Sequence, residues 1–156
     1  MNSSAVKTFG DERIAAGETC LVVDLAECTG MDSTFMGTLA GMAARLAAVP
    51  GGLLQIASSS ERNHRSLEDL GLDFLMEINP SASLWRGKEE AIRSALKPPM
   101  VPGVLGQISR ARHVLDAHRV LSGLNDKNAH EFQEVVTLLE NELAGKEKLA
   151  PHRKAQ

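Results

Sequence analysis

The residues of this chain best placed for chemistry are a hydroxyl pair, Ser33 and Thr34, directly behind Asp32. An apolar, β-branched run over 21–25 leads through a short loop to Met31-Asp32-Ser33-Thr34, where a helical apolar period begins, so the hydroxyls stand at a helix N-terminus. Two kinds of chemistry compete there. A Ser behind an Asp at a helix start most commonly caps the helix, its oxygen accepting a free backbone N–H. A phosphorylated hydroxyl would instead meet the exposed amides and positive end of the helix, which the fold tolerates. It would also place about −1.5 to −2 charge beside Asp32. Thr34 is surface filler first and an alternative acceptor second.

The remaining reactive residues read as structural. Asp24 and Asp32 could form a carboxylate pair for acid–base work, but carboxylates near the carboxyl ends of strands ordinarily serve as caps and turn residues. His113 and His118 are five apart and His130 lies across a turn, so none forms an i, i+4 pair and no metal site is expected. Gly51-Gly52 lacks the lysine and spacing of a phosphate loop. Cys20 and Cys28 have no Cys-x-x-Cys spacing, and Cys28, though near Ser33, reads as a small hydrophobe rather than a redox centre. No nucleophile, base and oxyanion set assembles, so the chain reads as a non-enzyme.

Composition narrows the partners. Hydrophobic residues make up 43% of the 156 but aromatic ones only 3%, with no Tyr, so the core must be aliphatic and there is no platform for stacking single-stranded nucleic acid. A net charge of −3 offers no footprint for a polyanion, and nucleic acid is not expected as a partner. Up to Lys97 there are nine Lys and Arg against thirteen Asp and Glu, and beyond it eight against seven, consistent with two units. No apolar run approaches the roughly 18 residues of a membrane span and no signal peptide is seen, so no membrane and a cytoplasmic location are expected.

The hydroxyl pair needs a frame, and the chain supplies strand and helix in alternation. Asn2 or Ser3 caps a helix to about Ala16, with Val6, Phe9 and Ile14 inward and Gly17 as the stop. The run 20–25, apolar on both sides, reads as a strand buried between layers. From Ser33 to Val49 the positions Phe35, Leu39, Met42, Leu46 and Val49 form a core stripe, whereas Thr34, Thr38, Gly41 and Arg45 make a small, polar face that another surface could approach closely. A strand over 53–57 follows, then a capping box of Ser58 and Glu61 opening a helix to Leu70. A third strand is expected over 74–78 and a further helix to about Leu96, with Leu84, Trp85, Ile92, Ala95 and Leu96 inward. This order implies an α/β fold with a parallel sheet and flanking helices over 1–97. A proline-rich linker over 98–107 leads to a helical hairpin over 108–145, and 146–156 reads as a flexible tail. The hairpin's apolar stripes are too broad for water, and the four-three spacing of Phe132, Val136, Leu139 and Leu143 favours a homo-oligomer formed through it over packing on the domain.

The segment Leu21-Val22-Val23-Asp24-Leu25 followed by Met31-Asp32-Ser33-Thr34, with Gly17, Pro50-Gly51-Gly52 and Leu67-Glu68-Asp69-Leu70-Gly71-Leu72 at the expected places, resembles STAS-domain proteins, the bacterial anti-sigma factor antagonists. The resemblance covers roughly residues 3–97 and implies a STAS-like fold. It implies partner switching. The unphosphorylated protein would bind an anti-sigma factor that is itself a serine kinase, phosphorylation of Ser33 would release it, and a phosphatase would reset the site, all in transcription regulation. The partner surface would be Asp32, Ser33, Thr34, Phe35, Gly37, Thr38, Gly41 and Arg45. ATP would belong to the kinase, and the chain would carry no cofactor of its own. Phe35 stands where the family has Gly; this favours the alternative, a non-phosphorylated STAS accessory subunit of a transport or signalling assembly. The family also carries about two strands ahead of the first helix that this sequence lacks. Either Met1 is an internal methionine or the sheet is reduced, and an apolar sheet edge is expected to lie open at 21–25.

Overall fold

The computed structural model describes residues 2–97 and 105–149. Their chain order is α1 (Ser3–Ala15), β1 (Cys20–Asp24), α2 (Ser33–Ala47), β2 (Leu53–Ala57), α3 (Glu61–Asp69), β3 (Glu77–Ile78), α4 (Glu89–Ala95), α5 (Gln107–Ser122) and α6 (Asp126–Leu149), with a single 3-10 turn at Leu72–Phe74. The three strands form one parallel sheet in the order β1-β2-β3. The architecture is α/β, as the alternation of strand and helix requires.

Asn2 caps α1, its side chain accepting from the Ala5 amide at 3.2 Å, and Gly17, at φ 94°, turns the chain towards β1. The predicted core stripe of α2 holds at four of its five positions; Val49 lies past the end of the helix at Ala47 and is only half-buried. Phe35, Leu39, Met42 and Leu46 are almost wholly buried and meet Leu21, Leu54, Ile56 and Leu67 in one cluster. Burial of each such side chain is worth about 1.5–3 kcal/mol, and the sheet therefore hangs on α2. Gly52 has no alternative at the start of β2, since a Cβ there would lie 2.6 Å from the Leu46 carbonyl carbon.

Several expectations need correction. β1 is not buried on both sides: Leu21 faces the core, whereas Cys20, Val22 (43% exposed) and Asp24, which alternate with it, lie exposed on the other face; β1 pairs only with β2, and its other edge carries no strand among the described residues. Phe9 lies out beside that open edge rather than in the core. Ser60, not Ser58, caps α3, accepting from the Asn63 amide at 3.2 Å; Ser58 sits at φ 54° and gives its oxygen to Arg93 at 2.9 Å. The third strand shrinks to Glu77–Ile78, because the chain after Gly71 coils into the 3-10 turn and leaves Phe74 89% exposed. In the stretch through α4 only Trp85 is buried, its indole donating to Gln55 Oε1 at 2.7 Å. Leu84, Ile92, Ala95 and Leu96 face outward, since α4 is a short helix held on the strand ends by the Arg93–Asp24 ion pair rather than by an apolar face.

The linker expected over 98–107 falls mainly on 98–104, outside the described residues; Gln107 already belongs to α5. α6 continues helically through Gly145 to Leu149, so the part of the expected tail that is described is helix; 150–156 lies outside the described residues. The hairpin packs back on the α/β unit. α5 lies between α2 and α6, burying Leu115 and Leu121 together with Phe132. Val136, Leu139 and Leu143, half-buried in α6, follow the side of Phe132, so the four-three stripe expected to pair with a second copy lies along the hairpin's inner side. Its turn is pinned to the end of α3, where Lys127 and Asn128 donate to the carbonyls of Asp69 and Leu70 at 2.8 and 2.9 Å.

Candidate functional site

The site begins with the cap of α2. Asp32 has an extended backbone and its Oδ1 accepts the Phe35 amide at 2.7 Å. The cap is therefore the aspartate, and the Ser33 hydroxyl is left for other work. Ser33 Oγ lies 3.0 Å from Nε2 of His118 in α5. The other ring nitrogen, Nδ1, is 2.8 Å from the Val114 carbonyl oxygen, a partner that can only accept. This bond assigns the tautomer of the neutral ring: Nδ1 carries the proton, Nε2 offers a lone pair, and the Ser33 hydroxyl donates. Phe132 of α6 packs edge-on against the imidazole, with ring centroids 5.8 Å apart.

The loop that delivers Asp32 is held from two sides. The Leu25 amide continues the ladder of β1 to the Ala57 carbonyl at 2.9 Å. Buried Asn63 of α3 donates to the Cys28 carbonyl at 2.7 Å, and the Cys28 thiol donates to the Gly30 carbonyl at 3.4 Å. Cys28 thus serves as a packed, hydrogen-bonded small side chain. Asp24 stays out of the site. It takes the guanidinium of Arg93, also 3.2 Å from Nη2 at its second oxygen, and accepts the Ala26 amide at 3.1 Å. The Arg93 hydrogen bond holds the Asp24 carboxyl below its ordinary value. The two aspartates cap a turn and a helix, and neither is aimed at the other.

Of the residues expected to form a binding surface, Asp32, Ser33, Thr34, Gly37, Thr38, Gly41 and Arg45 do line one face of α2. Phe35 does not: at 2% exposure it belongs to the core, pointing away from any partner. The face is also not free. α5 runs across it, and the contact is closest at Gly37, where a Cβ would lie 2.7 Å from the Ala117 carbonyl carbon and closer still to its oxygen. Val120 sits over Gly41, Thr38 is buried with its hydroxyl on the Thr34 carbonyl at 2.8 Å, and Arg45 meets Asp11 of α1 at 2.6 Å. A cavity of about 60 Å³ remains beside Thr38, His113 and Asp116, room for a water or two and too little for a substrate.

His113 repeats the pattern one helical turn away. Its Nε2 is 2.9 Å from the Ser3 hydroxyl at the start of α1. Burial, with Lys7 nearby, pushes the His113 pKa down, while Asp116 and Asp32 pull weakly the other way. The histidines and Ala117 are the members of this site that sequence reasoning missed. His118 falls on the apolar stripe of α5, and a histidine on such a stripe was the available signal; nothing in the sequence pairs it with Ser33, 85 residues earlier.

Among the described residues no group of three His, Cys, Asp or Glu side chains comes together to hold a metal ion, and no helix is long and apolar enough to cross a membrane. Set against protein-family models, curated proteins and solved structures, the chain finds no match in any of the three.

Proposed function

We propose that this chain is a STAS-like regulatory binding module, an anti-sigma factor antagonist that binds an anti-sigma factor kinase and is released when Ser33 is phosphorylated. The observation that carries the reading is the division of labour at the start of α2, where Asp32 supplies the cap and leaves the Ser33 hydroxyl uncommitted to the helix. A phosphate on Ser33 would be received by the positive end of a helix of 15 residues. Its charge would stand beside Asp32 at the rim of the face formed by Thr34, Gly37, Thr38, Gly41 and Arg45, opposing a docked protein. The chain contributes the hydroxyl; ATP and the phosphoryl-transfer machinery belong to the kinase, and a phosphatase restores the binding state. Incubation with ATP and each anti-sigma serine kinase encoded in the source genome, followed by fragment mass spectrometry, should place one phosphate on Ser33. A phosphate confined to Thr34, or no modification by a kinase that binds the chain, would overturn this assignment.

The coverage of that face by α5 favours a second reading, a non-phosphorylated accessory subunit of a transport or signalling assembly. In that case the chain should co-purify with its assembly without any phosphate on Ser33.

A further inference from the structure

We propose that His118 is the base for the Ser33 hydroxyl: its imidazole takes the hydroxyl proton as Oγ attacks a phosphoryl donor, then holds the new phosphate through that proton. The inference rests on the function proposed above and deepens it, because the proton acceptor comes with this chain and not with the kinase. Its first support is distance. Ser33 Oγ lies 3.0 Å from His118 Nε2, within the reach that proton transfer requires. The second is the lone pair. Nδ1 is 2.8 Å from the Val114 carbonyl oxygen one turn back in α5, so the neutral ring carries its proton there and only accepts at Nε2. The third is rigidity. His118 is 6% exposed and Phe132 packs edge-on against it, so the ring is fixed before any donor arrives. A nucleophile, a base within hydrogen-bond reach and a third group that orients the base form the arrangement that activates a hydroxyl.

The exposure of the pair fits these roles. Ser33 is half-buried and His118 lies beneath it, so their bond uses the inner side of Oγ and the outer side is left to a donor. Asp32 is engaged with the Phe35 amide, which leaves His118 as the acceptor. In the step, a bond forms between Ser33 Oγ and the γ-phosphorus of the kinase-bound ATP, and the bond from that phosphorus to the β,γ-bridging oxygen breaks. ADP leaves with the electron pair, and the Ser33 proton moves to Nε2. The imidazolium keeps Nδ1–H on the Val114 carbonyl and donates Nε2–H to a phosphate oxygen, a charge-assisted bond. When a phosphatase brings water to the phosphorus, the same proton returns to the departing Oγ. Ser3 and His113 provide an internal reference. They are paired at 2.9 Å on the same helix α5, but among the described residues no partner holds Nδ1 of His113, so nothing fixes which nitrogen offers its lone pair.

An alkyl fluorophosphonate tests this on the full chain without a kinase, since a hydroxyl displaces its fluoride at phosphorus only when a base removes the proton. Peptide mass spectrometry should find Ser33 modified at least tenfold faster than Ser3. His118→Gln, whose amide oxygen still accepts a hydrogen bond but takes no proton, should bring Ser33 down to the rate of Ser3. With the anti-sigma kinase and ATP, the same variant should lose at least tenfold in kcat with KM for the chain unchanged, the signature of an interaction made only in the transition state. A further readout needs no variant: nitrogen NMR of the parent at mildly alkaline pH should show a ring proton on Nδ1 alone before phosphorylation and on both nitrogens after it. Ser33 reacting no faster than Ser3, a His118→Gln chain reacting as the parent does, or a phosphorylated parent without a proton on Nε2 would each overturn the inference. If a kinase modifies parent and His118→Gln at equal kcat, the proposed function stands and His118 only packs against Ser33. If the reagent finds Ser33 through His118 yet no kinase modifies it, the proposed function falls and the activated hydroxyl stands.

Discussion

Gly37 and Ala117 meet backbone to backbone, α2 against α5, at the point where the C-terminal hairpin joins the α/β unit. No side chain fits between them. The contact decides both how the hairpin is held and what lies over the Ser33 face.

Gly37→Ala is therefore expected to destabilise the protein even though Ala is the better helix former. The helical gain is about 1 kcal/mol, whereas forcing a methyl against a packed backbone costs about 1–3 kcal/mol, more where neither helix can yield. Denaturant unfolding should show a net loss, and hydrogen exchange should show it concentrated in α2 and α5. A stability equal to or above the parent would mean that α5 does not sit on Gly37 in solution.

Ser33→Ala removes the donor to His118 and leaves the imidazole lone pair unpaired in a buried place, at a cost of about 1–3 kcal/mol. Towards an anti-sigma partner the two variants should part: Ser33→Ala binds, and Ser33→Asp binds about 1–3 kcal/mol more weakly as an unpaired charge at an interface. Calorimetry giving equal affinities would place the start of α2 outside the contact.

Two groups should make stability fall with acid. The His113 pKa is lowered in the fold by burial and by Lys7, with Asp116, Asp32 and the Ser3 hydroxyl as its other neighbours. The folded state thus binds this proton less well than the unfolded chain, and the contribution of His113 is full above its ordinary value near 6.5 and is lost as pH falls through its depressed value. His113→Gln should flatten the pH dependence of the melting temperature in that window. An unchanged slope would remove His113 as its source.

Asp24 acts lower on the pH scale. Held down by Arg93, it stabilises the fold above its ordinary carboxylate value and loses that contribution as pH falls through the depressed one. Asp24→Asn should melt lower at neutral pH and converge with the parent in acid. Parallel curves at all pH values would separate the ion pair from acid sensitivity.

The edge of β1, which carries no strand among the described residues, should make the protein associate. Val22 lies on that edge at 43% exposure, with exposed Phe9 and Leu96 beside it, and such edges pair with other chains unless a charge blocks them. Val22→Lys should shift sedimentation towards monomer without lowering the melting temperature much. Unchanged association would direct attention to the outer face of α6, where Leu138 is exposed.

The sequence by itself determined the parts. The period of Phe35, Leu39, Met42 and Leu46 marks a core-facing helix whatever it packs on, and the short, β-branched apolar runs 20–25 and 53–57 between turn residues mark strands, although half of the first stays exposed. Asp32 before Ser33 marks the helix start, since capping is a local event between neighbours. Local pattern was weaker where a few residues could bond in more than one way. Ser58, three residues before Glu61, has the spacing of a capping box, yet its hydroxyl accepts from Arg93 and Ser60 caps α3. Leu84, Ile92 and Leu96 are helical in spacing but have no surface to cover, because the sheet ends at two residues of β3. The tertiary structure alone decided the fate of the polar face of α2. Small residues on a helix state only that something can come close; which helix comes, and whether from this chain, depends on the non-local meeting of Gly37 with Ala117 and of Ser33 with His118, and no period within either helix carries the identity of its partner.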